Sequence, residues 1–133
     1  MGDKKQILFI EDDHSTMEVY QIAFEQAGFE IIPIFSGEDA LELIKEIVRN
    51  KAKKPDLVLL DYVLSGVDGF EVLEVIRKNP KTKNLKVILT TNYSVAELKL
   101  KGKFIDGEKF VLKADYPPSK LIELVKKDLG VDI

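Results

Sequence analysis

Acidic residues follow two apolar segments of the sequence at the point where each segment ends. Glu11 and Asp12 follow QILFI (6–10), and Asp61 follows DLVLL (56–60). A carboxylate beside buried apolar residues carries a desolvation penalty unless a charge or a ligand offsets it. Carboxylates that are gathered in one place can bind a cation, and one of them can act as a nucleophile. The question is therefore which elements would bring these acids together.

Two further polar residues stand at the ends of other apolar segments. Thr90 ends KVILT (86–90), and Lys113 follows KFVL (109–112). In a parallel sheet the carboxyl ends of the strands lie at one edge, and ligands bind just outside that edge. We therefore expect the acids, a hydroxyl and an ammonium group to converge there.

This set of side chains is suited to magnesium-assisted phosphoryl chemistry. Clustered carboxylates repel one another, and a hard divalent cation with oxygen ligands, such as Mg²⁺, offsets the repulsion. The sequence has no GxxxxGK loop, so we do not expect the phosphate to belong to a bound nucleotide. The carboxylate of Asp61 can itself attack phosphorus and form an acyl phosphate, while the hydroxyl and the lysine neutralise charge on the phosphoryl oxygens.

The order of the elements predicts an α/β fold. Apolar segments alternate with amphipathic stretches, which is typical of parallel strands connected by helices. The strands are continuous apolar runs, as expected for a sheet that is covered on both faces. Pro33 indicates an edge position for the second strand, because proline cannot donate a ladder hydrogen bond. The predicted strands are 6–10, 30–34, 56–60, 86–90 and 109–112, each followed by a helix.

Composition restricts the class of protein further. The chain has 133 residues, a net charge of -3 and no cysteine, which favours one globular domain and excludes disulfides and thiolate metal sites. The negative charge disfavours direct binding of nucleic acid, and the sequence shows neither a signal peptide nor a membrane-spanning segment. We expect a cytoplasmic protein with no membrane partner. The lysine-rich segment 49–56, RNKAKKPD, is interpreted as a solvated loop.

The motifs together resemble the receiver domain of two-component response regulators, including the single-domain chemotaxis type. They are ILFIEDD, LVLLDYVLSGVDGFEVL, VILTT and FVLK, in this order. The resemblance covers nearly the whole chain, so residues 1–133 are expected to form one receiver domain. It implies a flavodoxin-like, doubly wound, five-stranded parallel sheet of order 2-1-3-4-5 with five helices.

The resemblance also implies roles for the residues at the matched positions. Asp61 matches the phosphoacceptor, and Lys113 matches the lysine that is usual in the family. Glu11 and Asp12 match the acidic pair of the Mg²⁺ site, in which Asp12 would bind the metal directly. Asp61 and the backbone carbonyl of Val63 would complete that site.

Two positions match the residues that respond to phosphorylation in the family. Thr90 matches the switch hydroxyl, and Phe110 matches an aromatic residue whose rotamer changes. Thr91 follows where the family usually has alanine, so the choice between the two threonines stays open. Ala114 follows the lysine where the family usually has proline, and we expect this loop to take a different course.

Other departures concern the loops around the acid. Ser65 precedes Gly66 where the family usually has proline, and the segment 94–107 suggests a short fourth helix. In the family, side chains at the positions of Val63 and Asn92 influence the attacking water. Valine cannot orient water by hydrogen bonding, so we expect the phosphoryl group to be lost slowly.

Three polar residues close to these motifs are interpreted as ordinary structural groups. Asp13 is expected at the start of the first helix, where its charge suits the helix dipole. Asp68 is expected to cap the third helix. His14 could bind a metal, but a carboxylate site suits Mg²⁺ better than imidazole does, so we favour an exposed residue in the first helical turn.

The expected function is that of a phosphorylation switch without enzymatic turnover beyond its own phosphorylation and dephosphorylation. A histidine kinase or phosphotransfer protein would phosphorylate Asp61, and a downstream protein would bind the changed surface. The resemblance makes the face of helix 4, strand 5 and helix 5 a candidate homodimer surface, and the sequence leaves the oligomeric state open. Two alternatives remain open: an interaction module that is not phosphorylated, and a magnesium-dependent phosphatase with an aspartyl-phosphate intermediate.

Overall fold

A five-stranded parallel sheet forms the centre of the computed structural model, which describes residues 4–132. The strands are β1 (Gln6–Ile10), β2 (Glu30–Ile34), β3 (Leu57–Asp61), β4 (Val87–Thr91) and β5 (Lys109–Leu112). They lie in the order β2-β1-β3-β4-β5, which confirms the predicted fold class and topology. Strand β2 is an edge strand, as Pro33 indicated.

Five helices connect and follow the strands, again as predicted. They are α1 (His14–Gln26), α2 (Gly37–Val48), α3 (Gly69–Lys78), α4 (Val95–Leu100) and α5 (Pro118–Leu129). Helix α4 has only six residues, which agrees with the short fourth helix expected from the sequence. No helix in the described part of the chain is long and apolar enough to span a membrane.

The sheet separates two hydrophobic cores, because successive side chains of a strand point to opposite faces. On one face, Phe9 and Leu59 pack with buried residues of α1 and α5 such as Phe24 and Val125. On the other face, the cluster contains residues of α2, α3 and α4 together with alternate strand residues. Helices therefore cover both faces of the sheet.

Side-chain caps determine where four of the helices begin. The carboxylate of Asp13 accepts a hydrogen bond from the Thr16 amide, and that of Asp68 accepts one from the Glu71 amide. Both predicted helix-terminal roles are confirmed. The hydroxyls of Ser36 and Ser94 cap α2 and α4 in the same way. Each cap satisfies an amide that has no partner within its own helix.

The observed strands β3 and β4 are each shifted by one residue from the predicted ranges. Strand β3 includes Asp61, which pairs in register with Thr90, and β4 extends to Thr91. The ladder continues because the Tyr62 amide donates a hydrogen bond to the Thr90 carbonyl. Asp61 and Thr90 thus occupy the last paired positions of the ladder between β3 and β4. Their backbone positions are therefore fixed more firmly than they would be in a loop.

Candidate functional site

Asp61 lies at the carboxyl end of the central strand β3, among buried residues. Its residue surface is only 3% exposed. One carboxylate oxygen, Oδ2, accepts a hydrogen bond from Nζ of Lys113 at 2.9 Å, and the other, Oδ1, accepts one from the Val63 amide at 3.3 Å. The carboxylate is therefore held in place from both sides.

Lys113 connects the two most buried acids of the site. Its Nζ donates to Oε1 of Glu11 at 3.1 Å as well as to Asp61. The residues after β5 form a short 3₁₀ turn, Lys113–Asp115, which contains Ala114, and no peptide bond in residues 4–132 is cis. Although alanine replaces proline here, the lysine still reaches the acids.

Glu11, Asp12 and Asp61 form a group that could hold a metal ion. One carboxylate oxygen from each lies within 4.8 Å of those of the other two. Glu11 is buried, whereas Asp12 is partly exposed and its Oδ2 accepts hydrogen bonds from the amide and hydroxyl of Ser65 at 3.2 and 3.3 Å. Hard oxygen donors in this number fit a small divalent cation such as Mg²⁺, and the cleft beside them leaves room for further ligands.

Burial and neighbouring charges shift the pKa values of both Asp61 and Lys113. Burial, and then the nearby charge of Glu11, raise the pKa of Asp61 to about 7, although the hydrogen bond and charge of Lys113 act in the opposite direction. Burial alone would lower the pKa of Lys113, but its bond to Asp61 and the charges of both acids raise it. A cation at this site would relieve the repulsion between the carboxylates.

The two threonines of β4 differ in their hydrogen bonding. The hydroxyl of Thr91 accepts a hydrogen bond from the Tyr93 amide at 2.9 Å and so is engaged in the following turn. The hydroxyl of Thr90 is buried and has no hydrogen-bond partner among residues 4–132, and it lines a small cavity together with Glu11 and Lys113. An unpaired buried hydroxyl is costly, which makes Thr90 the better candidate for a group that gains a partner later.

A cleft of about 330 Å³ exposes the site to solvent. Asp61, the acids after β1, Asn92 and Lys113 line it, as does Val63, whose side chain is 48% exposed. His14 is not part of the metal-ligand group: its ring stacks on Phe35 with the centroids 4.3 Å apart. As favoured from the sequence, His14 is an exposed residue in the first turn of α1.

Phe110 belongs to an aromatic cluster that lies next to the site. Its ring contacts Tyr62 edge to face at 5.1 Å and stacks with Phe104 at 5.4 Å. Tyr62 directly follows Asp61, is buried, and donates its hydroxyl hydrogen to the carbonyl of Lys103 at 2.6 Å. The cluster therefore joins the backbone of the acid to the segment between α4 and β5.

The sequence did not indicate that Tyr62 and Lys103 would be connected. The two residues are 41 positions apart, and neither belongs to a motif that predicts such a bond. Nζ of Lys103 also donates to the capping carboxylate of Asp68 at 2.6 Å. The segment before β5 is thus tied both to the loop after Asp61 and to the start of α3.

A family model for the response regulator receiver domain matches residues 7–126. The chain belongs to the response regulator receiver family. The matched range contains every residue that was predicted to take part in the site. The receiver fold accounts for the position of the acids, the lysine and the hydroxyl at the carboxyl edge of one parallel sheet.

Curated relatives of this receiver include one that is much longer than the matched part and one of similar length. The transcriptional regulatory protein AfsQ1 of Streptomyces coelicolor is 38% identical over 85 residues, which cover 64% of this chain and 34% of AfsQ1. The polar-differentiation response regulator DivK of Brucella ovis is 28% identical over 126 residues, which cover 95% of this chain and 97% of DivK. The phosphate regulon transcriptional regulatory protein PhoB of Pseudomonas aeruginosa is 26% identical over 122 residues, which cover 92% of this chain and 50% of PhoB. The chain therefore spans half or less of the length of AfsQ1 and PhoB.

Solved structures agree with this assignment at the level of the fold. The chemotaxis response regulator CheY4 of Vibrio cholerae superimposes with a TM-score of 0.77 at 19% identity, over 93% of this chain and 98% of CheY4. The likeness shows that this chain and CheY4 share the same fold.

Proposed function

We propose that this receiver accepts a phosphoryl group on Asp61 from a phosphohistidine of a histidine kinase or phosphotransfer protein. One observation carries the proposal: a buried carboxylate at the end of the central strand is bonded to Lys113 and lies beside two further acids. A structural ion pair would need only one acid for one lysine. Three acids with one lysine leave an excess of negative charge, which suits a site that binds a cation and a phosphoryl group.

The transfer needs no further co-reactant. An oxygen of the Asp61 carboxylate attacks phosphorus, a P–O bond forms, and the P–N bond to the imidazole of the donor breaks. The imidazole leaves with the bonding electron pair and takes up a proton from solvent. Lys113 neutralises charge on the phosphoryl oxygens, and the free hydroxyl of Thr90 donates to one of them.

Magnesium is the cation that we propose for the acidic group. Glu11, Asp12 and Asp61 would hold it, with the backbone carbonyl of Val63 as a further ligand. When bound, Mg²⁺ neutralises charge that develops on the phosphoryl oxygens during transfer. Glu11 also keeps Lys113 in position, because it shares the ammonium group with Asp61.

Phosphorylation would change the surface around α4 and β5. Phosphorylation of Asp61 adds about one to two negative charges and strong acceptor oxygens, which draw Thr90 and Lys113 toward them. The aromatic cluster of Tyr62 and Phe110 would transmit the change to the segment before β5. We propose that a downstream protein reads this surface, that the face of α4, β5 and α5 can form a homodimer, and that the domain works in the cytoplasm as a switch rather than as an enzyme.

Incubation with acetyl phosphate tests the proposal. Wild-type protein with Mg²⁺ should gain one phosphoryl mass in an intact-mass spectrum, and a chelator should prevent the gain. Asp61→Asn should not gain it, whereas Asp106→Asn, which changes an exposed acid in the loop before β5, should behave as wild type. Equal labelling of wild type and Asp61→Asn would overturn the proposal.

Neither alternative is favoured by the residues of the site. A receiver that is never phosphorylated would be expected to lose the lysine contact, but Lys113 reaches both Asp61 and Glu11. A phosphatase would need a general acid shortly after the nucleophile, and the candidate position is occupied by Val63. Turnover of a generic phosphate ester would be the result that favours the phosphatase.

A further inference from the structure

The edge of the sheet opposite Asp61 carries an unusual concentration of positive charge. It consists of the segments that precede β1, β3 and β4, and we call it the basic face. Its exposed cations are Lys4, Lys5, Arg49, Lys51, Lys53, Lys54, Lys78, Lys81, Lys83 and Lys86. The same segments contain few acids, of which Asp56 is already engaged as acceptor of the Gln6 amide. The net charge of -3 for the whole chain does not reveal that positive charge is concentrated at this edge.

Direct contacts show that the basic face is continuous. The Asp56 amide donates to the Gln6 carbonyl, and the Val58 amide donates to the Lys86 carbonyl. Nζ of Lys81 donates to the carbonyl of Val48 at 3.0 Å, so the loop after α3 touches the end of α2. The lysine-rich loop and the segment before β4 are therefore neighbours.

Most of these cations have no partner in the structure. Among residues 4–132, none of the ten forms an ion pair, and only Lys81 and Lys86 bond to backbone carbonyls. Arg49 and Lys78 lie at helix carboxyl ends and suit the helix dipoles there. The helix dipole acts only within the last turn of a helix. It therefore does not account for the unpaired lysines of the loop 51–54.

An apolar groove between α2 and α3 adjoins the basic face. Ile44, Val48 and Val75 form its apolar floor, and its polar lining residues are Lys45, Arg49 and Asn79. Nζ of Lys45 is paired with Glu42 at 3.3 Å, whereas Arg49 forms no ion pair among residues 4–132. The groove has a volume of about 270 Å³, and Val75 is 40% exposed. An apolar floor with a cationic rim offers two kinds of contact at once.

We propose that this groove and the basic face together bind an acidic amphipathic helix of a partner protein. An amphipathic helix places apolar side chains three and four residues apart into such a groove, and its acidic residues would meet the lysines around the rim. Complementary charge would also speed association and make it sensitive to salt.

Other polyanions fit this surface less well. The segments 4–6, 44–56 and 75–86 contain no aromatic residue, so the face has no ring on which bases could stack. It also lacks the aromatic side chains that anchor proteins at a lipid interface. The groove lies away from Asp61, so the proposed binding does not depend on phosphorylation.

A designed peptide tests the inference on the full chain. The probe is a fluorescent, amphipathic peptide of about 18 residues with leucine at helical spacing and glutamate elsewhere. Its binding is followed by anisotropy and mapped by amide chemical shifts in ¹⁵N-labelled protein. We expect shifts confined to residues around 44–54 and 75–83, with the same affinity for Asp61→Asn. A scrambled peptide of equal composition should bind about tenfold more weakly.

Two variants and one control separate the contributions of charge and groove. The triple variant Lys51→Glu, Lys53→Glu, Lys54→Glu should weaken binding by about tenfold, and Val75→Ser by roughly threefold. The matched control Lys99→Glu, Lys101→Glu, Lys120→Glu makes the same charge change near α4 and α5 and should weaken binding by less than about twofold. Thermal unfolding verifies that each variant is folded. If the triple variant does not fold, Val75→Ser alone still tests the inference.

Several results would overturn the inference. Equal binding of the scrambled peptide would mean that only charge is recognised. Tighter binding of a duplex DNA or of vesicles of phosphatidylglycerol and phosphatidylcholine would assign the face to another class of ligand. Shifts elsewhere on the protein, or an equal loss in the control triple variant, would mean that the peptide does not bind at this face.

Discussion

The ionisation of Asp61 is the property of a single residue that most affects this domain. Its pKa is raised to about 7 because the carboxylate is buried beside Glu11. An unfolded chain would ionise this group at its ordinary, lower pKa, so the charged form is less favourable in the folded state. The destabilisation that the ionised Asp61 causes has its full size above about pH 7, and it decreases progressively between pH 7 and pH 4.

Asp61→Asn should therefore stabilise the domain in the presence of a chelator. At pH 8 we expect a gain of at least about 1 kcal/mol, or a rise in Tm of roughly 3 °C, measured by thermal unfolding. The gain should shrink toward pH 4. Asp106→Asn, which changes an exposed acid, is the control and should change the Tm little. An equal or lower Tm for Asp61→Asn at pH 8 would contradict the described electrostatics.

The side chain of Val63 leads to a prediction about the lifetime of the phosphoryl group. It is 48% exposed, lines the cleft beside Asp61 and cannot hydrogen-bond to water. The phosphorylated protein should keep its phosphoryl group for minutes or longer, as followed by intact mass after removal of the donor. Val63→Asn, which adds an amide, should shorten the lifetime. A wild-type half-life of seconds would show that valine does not limit hydrolysis.

At the scale of elements, the hydroxyl of Tyr62 joins the loop after β3 to the segment before β5. Tyr62→Phe removes only the hydrogen bond to the Lys103 carbonyl and should lower the free energy of unfolding by about 1 kcal/mol. Tyr93→Phe is the matched control, because the Tyr93 hydroxyl forms no hydrogen bond within the described part of the chain. Urea unfolding measures both, and amide exchange should become faster around residues 103–108 only in Tyr62→Phe. Equal stability of the two variants would mean that the bond contributes nothing.

Sequence reasoning succeeded for elements whose signals are local. Apolar runs located the five strands, and Asp13 and Asp68 were recognised as helix-terminal residues from their position before amphipathic stretches. The observed ranges of β3 and β4 differ by one residue from the predicted ranges. The reason is that the pairing between Asp61 and Thr90 involves two strands and cannot be recognised in either segment alone.

Contacts between distant residues could not be predicted in this way. The bonds of Ser65 to Asp12, of Tyr62 to Lys103 and of Arg77 to Glu108 join residues 53, 41 and 31 positions apart. Each depends on how loops and helices that follow different strands meet after the sheet has formed. Thr90 and Thr91 could not be distinguished from the sequence either, because their difference lies in a hydrogen bond of the folded turn, which the Tyr93 amide donates to the Thr91 hydroxyl.

At the scale of the whole molecule, charge is divided between the two edges of the sheet. The site edge holds Glu11, Asp12 and Asp61, and the opposite edge is the basic face. A cation that binds only the folded protein stabilises it in proportion to the logarithm of its concentration. Mg²⁺ at a hundred times its Kd should therefore stabilise the domain by about 2.7 kcal/mol in urea unfolding.

Sodium chloride at equal ionic strength is the control for that measurement, because screening alone should not reproduce the gain. The stabilisation by Mg²⁺ should be much smaller in Asp12→Asn, which removes the charge of one proposed ligand. The same stabilisation by sodium chloride, or an undiminished effect of Mg²⁺ in Asp12→Asn, would argue against a metal site at this edge.

The location of the phosphoryl group tests directly whether Asp61 is the phosphoacceptor. Protein incubated with acetyl phosphate and Mg²⁺ is treated with borohydride, which reduces an acyl phosphate to the corresponding alcohol, and its peptides are sequenced by mass spectrometry. We expect a reduced side chain at position 61 alone, and only when both donor and Mg²⁺ were present. Reduction at Asp12 or Asp13 instead of Asp61, or at no residue, would contradict it.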